Sequence, residues 1–181
     1  MGSKTHIPVF VSAVEDTALG TIWAAVSENG LVAVEIQIPE EAMIQSLQRH
    51  GYRVVGIDSA KLNEILRQVK EYLDGRRQAF DFPIDWSGFT PFQVQVLQAT
   101  YAIPYGQTRT YGELARQIGR PRAARAVGRA EATNPMPLVI PCHRVLGTDG
   151  KLHGYGAGNG LETKAWLLAM EGAGSKMAQR G

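Results

Sequence analysis

The chain has 181 residues, 44% hydrophobic and 20% charged, the balance of a soluble globular protein with room for one large domain or two small ones. A single cysteine, Cys142, excludes an intramolecular disulfide and a cysteine-built zinc centre, and His6, His50, His143 and His153 lack ligand spacing, so no metal and no cofactor are expected. No apolar run approaches a membrane span and no secretory core opens the chain, so a reducing, cytoplasmic and nucleoid-associated setting without a membrane partner is expected, while the net charge of +2 hides an acidic first half (−4 over residues 1–85) and a basic second half (+6 over 86–181).

Residues 6–38 alternate apolar and polar positions and are rich in Val, Ile and Ala, which predicts strands. Asn29-Gly30, lying between Ile22–Val26 and Leu31–Ile36, predicts a tight hairpin turn because both residues tolerate positive φ. Pro39 ends that hairpin. Glu40–Arg49 then reads as a short helix with Met43, Ile44 and Leu47 inward, followed by a strand over Arg53–Ile57. Leu62, Ile65, Leu66, Val69, Tyr72 and Leu73 recur at helical spacing, with Asp58 or Ser59 to cap the start and Gly75 to close the end. Residues 1–80 therefore read as an α/β support domain with an antiparallel sheet, and no catalytic cluster falls in it. Periodicity breaks after Gly75, and residues 81–90 are expected to be a linker that packs.

A second domain is expected over residues 91–172, with a flexible tail at 173–181. Thr90-Pro91-Phe92-Gln93 opens a helix with a threonine cap, a proline at the first position and a capping-box glutamine, and Thr110-Tyr111-Gly112-Glu113 repeats the pattern. That second helix should run through Ile118, and Pro121 should start a third running to about Ala132. Two short helices joined by Gly-Arg-Pro, the second one basic, outline a helix-turn-helix. The basic helix interleaves Ala123, Ala124, Ala126, Gly128 and Ala130 with Arg122, Arg125 and Arg129. Small residues suit a close approach to a nucleic-acid groove and a tight helix seam equally well, and a solvated basic face accounts for the charge as readily as a phosphate footprint. Arg125, flanked by alanines, has the reach of a wedge pushed into a base stack.

Thr133-Asn134-Pro135-Met136-Pro137 must be a loop, and a short apolar strand should lead from Met136 to Ile140-Pro141-Cys142-His143-Arg144-Val145. A lone cysteine is commonly a small buried hydrophobe, but His143 and Arg144 are each able to favour a thiolate. Asp149-Gly150 suggests another hairpin. Gly154-Tyr155-Gly156-Ala157-Gly158-Asn159-Gly160 is a loop able to wrap a ligand, without the spacing or lysine of a phosphate-binding loop. A last helix spans Leu161–Glu171, organised around Leu161, Trp166, Leu168 and Ala169.

Pro-Cys-His-Arg-Val, preceded at fixed distances by Arg125-Ala-Val-Gly and Asn134-Pro, resembles the O6-alkylguanine-DNA alkyltransferases over about residues 90–172, while residues 1–85 match that family's variable N-terminal domain in outline. The resemblance implies an RNase H-like α/β domain followed by a mostly helical, winged-helix-like domain with a helix-turn-helix. It implies DNA repair by a single-turnover, suicide methyltransferase that moves the alkyl group of O6-alkylguanine, with O4-alkylthymine a second candidate, onto Cys142. His143 would act as base through a water and Glu171 would orient it, with Arg144 a structural ion-pair partner; Asn134 would brace the site and Tyr111 would donate to guanine N3. Arg125 would fill the gap left by a flipped nucleotide, with Thr110, Arg122, Ala124, Ala126, Gly128 and Arg129 along the minor groove of double-stranded DNA. Val145, Tyr155 and Gly156 would line the base pocket, in a chain that acts as a monomer. Where the family reads Gly-Tyr-x-Gly-Gly-Leu, this chain runs Gly-Tyr-Gly-Ala-Gly-Asn-Gly-Leu, longer by two residues. Two other readings compete. A non-catalytic alkyltransferase-like damage-binding module would lack the acceptor cysteine, and a cysteine hydrolase would not need the arginine helix.

Overall fold

The computed structural model describes residues 6–57 and 59–173, so the expected cap at Asp58 and the tail beyond Ala173 lie outside the described residues. The chain divides into two compact units, Met1–Gly88 and Phe89–Gly181.

The first unit is built on four strands, β1 (Ile7–Thr17), β2 (Gly20–Ser27), β3 (Gly30–Ile36) and β4 (Tyr52–Ile57), in the order β3-β2-β1-β4. The pairs β1–β2 and β2–β3 are antiparallel, but β4 runs parallel to β1, so the sheet is mixed rather than antiparallel throughout. The hairpin between β2 and β3 forms one residue earlier than expected. Ser27 pairs with Gly30, which puts Glu28 and Asn29 in the turn, and Ser27 Oγ accepts from the Asn29 N–H at 3.1 Å. Gly30 is needed for a different reason: its φ is +146°, and a Cβ there would stand 2.4 Å from the Pro83 carbonyl oxygen. That approach is part of a short pairing in which Leu31 N–H donates to Pro83 O and Asp85 N–H donates to Leu31 O, both at 2.9 Å. The front of the expected linker is thus built into the sheet edge.

Alternation decides which helix covers which face. Val9, Val11 and Ala25 pack with Met43 and Leu47 of helix α1 (Glu40–Arg49). Ile22, Ala24 and Val26 point away from Trp23 and Ala25, and helix α2 (Ala60–Leu73) packs on β1 and β2 with Leu62, Ile65, Leu66, Val69, Tyr72 and Leu73 all buried. Ser59 caps α2 through its side chain, and Gly75, at φ +73°, follows its end.

The second unit holds helices α3 (Pro91–Tyr101), α4 (Tyr111–Gln117), α5 (Ala124–Ala132) and α6 (Leu161–Met170), with a two-residue pair of parallel strands, β5 (Arg109–Thr110) and β6 (Val145–Leu146). Both expected capping boxes form, at Thr90 with Gln93 and at Thr110 with Glu113. Val96, Ala99 and Ile103 of α3 and its end pack with Leu114, Ala115, Val127, Ala130 and Val145 as one apolar core. The helix-turn-helix is α4 and α5, which pack together, but α5 starts after Ala123 and leaves Pro121 and Arg122 in the turn.

Three local expectations change. Met136–Ile140 forms turns rather than a strand, with Ile140 N–H donating to Met136 O at 2.9 Å and Leu138 at φ +73°. Asp149-Gly150 forms a turn but no hairpin, because β6 pairs with the distant Arg109–Thr110 instead of with its own neighbours. On α6 the buried positions are Thr163, Lys164, Leu167 and Leu168, while Leu161, Trp166 and Ala169 face out. A lysine takes the inner face because Lys164 Nζ donates to the carbonyl oxygens of Val145, at 2.7 Å, and His153, at 2.8 Å.

Candidate active site

Cys142 opens a three-residue 3₁₀ turn, Cys142–Arg144, whose N–H groups are tied back to the proline stretch: Cys142 N–H donates to Ile140 O and Arg144 N–H to Pro141 O, each at 2.8 Å. The thiol is held from the other side by Asn134. Its backbone N–H donates to Glu131 O at the end of α5, and its Oδ1 accepts from Met136 N–H. The two hydrogens of Nδ2 are then directed to Ile140 O at 2.9 Å and to Cys142 Sγ at 3.2 Å. Pro135 and Pro137 keep this loop out of helical geometry, so the amide is fixed where the sulfur lies.

His143 and Arg144 both turn inward, to Glu171 at the end of α6. Glu171 Oε1 is 2.8 Å from His143 Nε2, and the Arg144 guanidinium donates to both carboxylate oxygens at 2.9 to 3.2 Å. Gly106 N–H adds a bond to Oε2 at 3.1 Å. Arg144 also donates to Ile103 O at 2.6 Å and lies over the Tyr105 ring. Arg144 is therefore an ion-pair partner in this framework. Burial would raise the Glu171 carboxyl, but the hydrogen bonds from His143 and Arg144 bring it down to about 2. Burial holds His143 below its ordinary value, so the imidazole is neutral and able to take a proton.

Gly106 has φ +72°, and a Cβ there would stand 2.8 Å from the Glu171 carbonyl oxygen. Gly106→Ala is accordingly expected to cost about 1–3 kcal/mol of stability, checked by urea unfolding, with the loss coming from backbone strain and crowding at Glu171.

The sulfur itself is quiet. Burial, with the nearby Glu131 carboxyl second, pushes the Cys142 thiol up to about 12. Alkylation of Cys142 by iodoacetamide should therefore stay far slower than that of a free thiol at pH 8 and keep rising as pH passes 9, measured by mass spectrometry of the quenched protein.

Tyr111, the first residue of α4, has its hydroxyl 3.4 Å from His153 O, and burial, then Glu131, then Cys142 hold its phenol above the ordinary value. It lines a surface depression of about 380 Å³ with Ala124, Arg125 and Gly128 of α5 and with Gly147, Thr148, Asp149 and His153. Ala126 and Arg129 fall on the other side of α5, in a second depression beside Phe92, because successive helical residues are rotated by about 100°. Arg122 lies exposed ahead of the helix, and Thr110 caps α4. The expected DNA-contacting residues are thus divided, with Arg125, Ala124 and Gly128 alone sharing a depression with Tyr111. Val145 is fully buried in the apolar core. Gly156 is exposed, and Tyr155 has its hydroxyl oxygen buried without a hydrogen-bond partner. Among the described residues, no group of three or more His, Cys, Asp or Glu side chains is placed to hold a metal, and no helix is long and apolar enough to cross a membrane.

Two family models cover nearly the whole chain. Residues 91–173 match the DNA-binding domain of 6-O-methylguanine DNA methyltransferase, and residues 11–86 match its ribonuclease-like domain. The chain belongs to the O6-methylguanine DNA methyltransferase family. It is 41% identical over 160 residues to the methylated-DNA–protein-cysteine methyltransferase of Shigella flexneri, covering 86% of this chain and 92% of that protein. The Salmonella typhimurium protein of the same name is 42% identical over 162 residues, with the same coverage. Among solved structures, the O6-methylguanine methyltransferase of Mycobacterium tuberculosis superimposes with a TM-score of 0.74 at 35% identity, covering 91% of this chain and 93% of that one. The M. tuberculosis protein in complex with DNA gives the same TM-score at 33% identity, over 92% and 94% of the two chains.

Within this member of the methyltransferase family, two buried ionisable side chains escaped the reading of the sequence. Lys164 and Glu131 are 0% and 6% exposed. The signals were present but faint: Lys164 sits in the otherwise apolar Ala165–Leu168 neighbourhood of α6, and Glu131 is an acid at the end of a basic helix.

Proposed function

We propose that this methyltransferase repairs O6-alkylguanine in double-stranded DNA by moving the alkyl group onto Cys142, once per chain. The observation that carries this reading is the pair of contacts from Asn134 to Cys142 and from His143 to Glu171, in the same unit as the depression shared by Tyr111 and Arg125. All these groups come from one chain, which fits action as a monomer.

The resting thiol is protonated, so the proton must leave as substrate arrives. His143 is neutral and its ring is fixed through Nε2 by Glu171, so the imidazole is the group to take the thiol proton through a water. The imidazolium that forms faces a carboxylate held ionised down to about 2. The Cys142 sulfur then attacks the alkyl carbon, forming the S–C bond as the C–O6 bond breaks and its electron pair passes into the guanine ring. Tyr111 supplies a proton to N3, making the guanine a better leaving group, and recovers one from solvent. The product thioether has no second step to regenerate it.

A stacked base hides the alkyl carbon, so the nucleotide must be turned out of the duplex. The exposed Arg125, on the slim Ala124–Gly128 face of α5, would fill the vacated position from the minor groove, with Arg122 and Arg129 serving phosphates on either side. Tyr155 and the glycine loop would border the base. Incubation with duplex DNA carrying radiolabelled O6-methylguanine should place one label per chain on Cys142 and none on Cys142→Ser. Label on the serine variant, or more than one alkyl group transferred per chain, would overturn the assignment.

A further inference from the structure

Lys164 is a buried side chain that the proposed chemistry does not use. An ammonium is costly to bury unless its N–H groups are met, and this one, 0% exposed, donates from Nζ to Val145 O at 2.7 Å and to His153 O at 2.8 Å. An apolar residue would fill the inner face of α6 without that cost, so the use of Lys164 lies in the two carbonyls it holds.

Each carbonyl belongs to a part of the site. Val145 directly follows the Cys142–Arg144 turn and, in β6, pairs with Arg109 of β5, two residues before Tyr111. His153 lies in residues 151–156, which form neither helix nor strand, so no ladder fixes its carbonyl oxygen. That oxygen accepts a second hydrogen bond, from the Tyr111 hydroxyl at 3.4 Å, and both residues line the depression that holds Arg125. The ammonium thus makes the short, charge-assisted bond to the shared carbonyl and the phenol the long one. A hydroxyl resting on such a partner is directed but weakly held, ready to exchange that acceptor for a base nitrogen. We propose that Lys164 is a positioning residue for alkyl transfer: through the His153 carbonyl it sets the place from which the Tyr111 hydroxyl reaches guanine N3, and through the Val145 carbonyl it ties that place to the turn that bears Cys142. The assignment rests on the reading of Cys142 as acceptor and Tyr111 as N3 donor given above.

The test is a double-mutant cycle on single-turnover transfer to Cys142 from duplex DNA carrying O6-methylguanine, with protein in saturating excess. The competent fraction of each preparation is counted from its end-point label, so loss of folded chain does not enter the rate constant. Tyr111→Phe, which removes the hydroxyl, should slow transfer by about 10²-fold. Lys164→Met should slow it by about tenfold with Tyr111 present, because a misplaced donor is a poor one, and by less than about twofold in the Tyr111→Phe background, where no hydroxyl is left to place. A loss that is equal in the two backgrounds, or absent from both, overturns the positioning role. If Lys164→Met does not fold, Lys164→Gln, which keeps an N–H donor without the charge or the reach, enters the cycle under the same criterion. A Tyr111→Phe variant as fast as wild type overturns the N3-donor reading and this role with it. A wild type that takes no alkyl group from O6-methylguanine overturns the acceptor assignment instead.

Discussion

Glu171→Gln should lower stability by about 3–5 kcal/mol and slow alkyl transfer by about 10²–10⁴-fold. The Glu171 side chain is 0% exposed and the Arg144 guanidinium nearly so. Removing the negative charge leaves the guanidinium buried without its counter-charge and the His143 imidazolium without the carboxylate that offsets it. Urea unfolding measures the first loss and single-turnover labelling of Cys142 the second. Stability should also depend on acid in a way that the variant abolishes. Glu171 has its folded value lowered from 4.5 to about 2, so its contribution is fully present above the ordinary carboxyl range and is lost as pH falls through about 2. The stability difference between wild type and Glu171→Gln should therefore narrow below pH 4.5, a value at which an unperturbed carboxyl titrates. A difference unchanged down to pH 2.5 would show that the carboxylate is not held ionised by His143 and Arg144.

Arg125→Ala should slow repair of duplex DNA by about 30-fold while changing transfer from free O6-methylguanine by less than about threefold, since filling the gap of a flipped base offsets an unstacking cost of a few kcal/mol. The side chain is exposed, with the narrow Ala124 and Gly128 positions on either side of it along the depression that reaches Tyr111. Equal losses on both substrates would place Arg125 in the chemistry rather than in opening the duplex. Arg129→Ala should cost duplex repair less, because Arg129 lies outside the depression with Tyr111 and is assigned one phosphate contact rather than the vacated base position.

Much of this architecture was legible because local signals and tertiary structure agree. The two threonine capping boxes start α3 and α4 where the sequence places them, and all six apolar positions read on α2 are buried, with Gln68 joining them. The reading failed where long-range contacts override local rules. Asn29-Gly30 marks a hairpin that does form, but its turn sits one residue earlier, and Gly30 is demanded by the Pro83 backbone, which lies 53 residues away in sequence. Asp149-Gly150 looks like a hairpin, but β6 pairs with Arg109–Thr110. The site follows the same division. Cys142, His143, Asn134 and Glu171 stand out through their resemblance to the family. Thr100, Glu131 and Lys164 carry no local motif, since their partners come from separate helices and loops.

The protonated, half-screened sulfur of Cys142 has a consequence for the lifetime of an unused chain. A protein that can act only once is wasted by any stray electrophile or oxidant that finds a thiolate first. Peroxide and most cellular electrophiles react with the ionised form, so a thiol that stays neutral through the physiological range is shielded from them without being walled off. On the proposed mechanism, reactivity is conferred only when a correctly seated base arrives and the thiol proton passes to His143, and each molecule stays competent for as long as it goes without meeting damage.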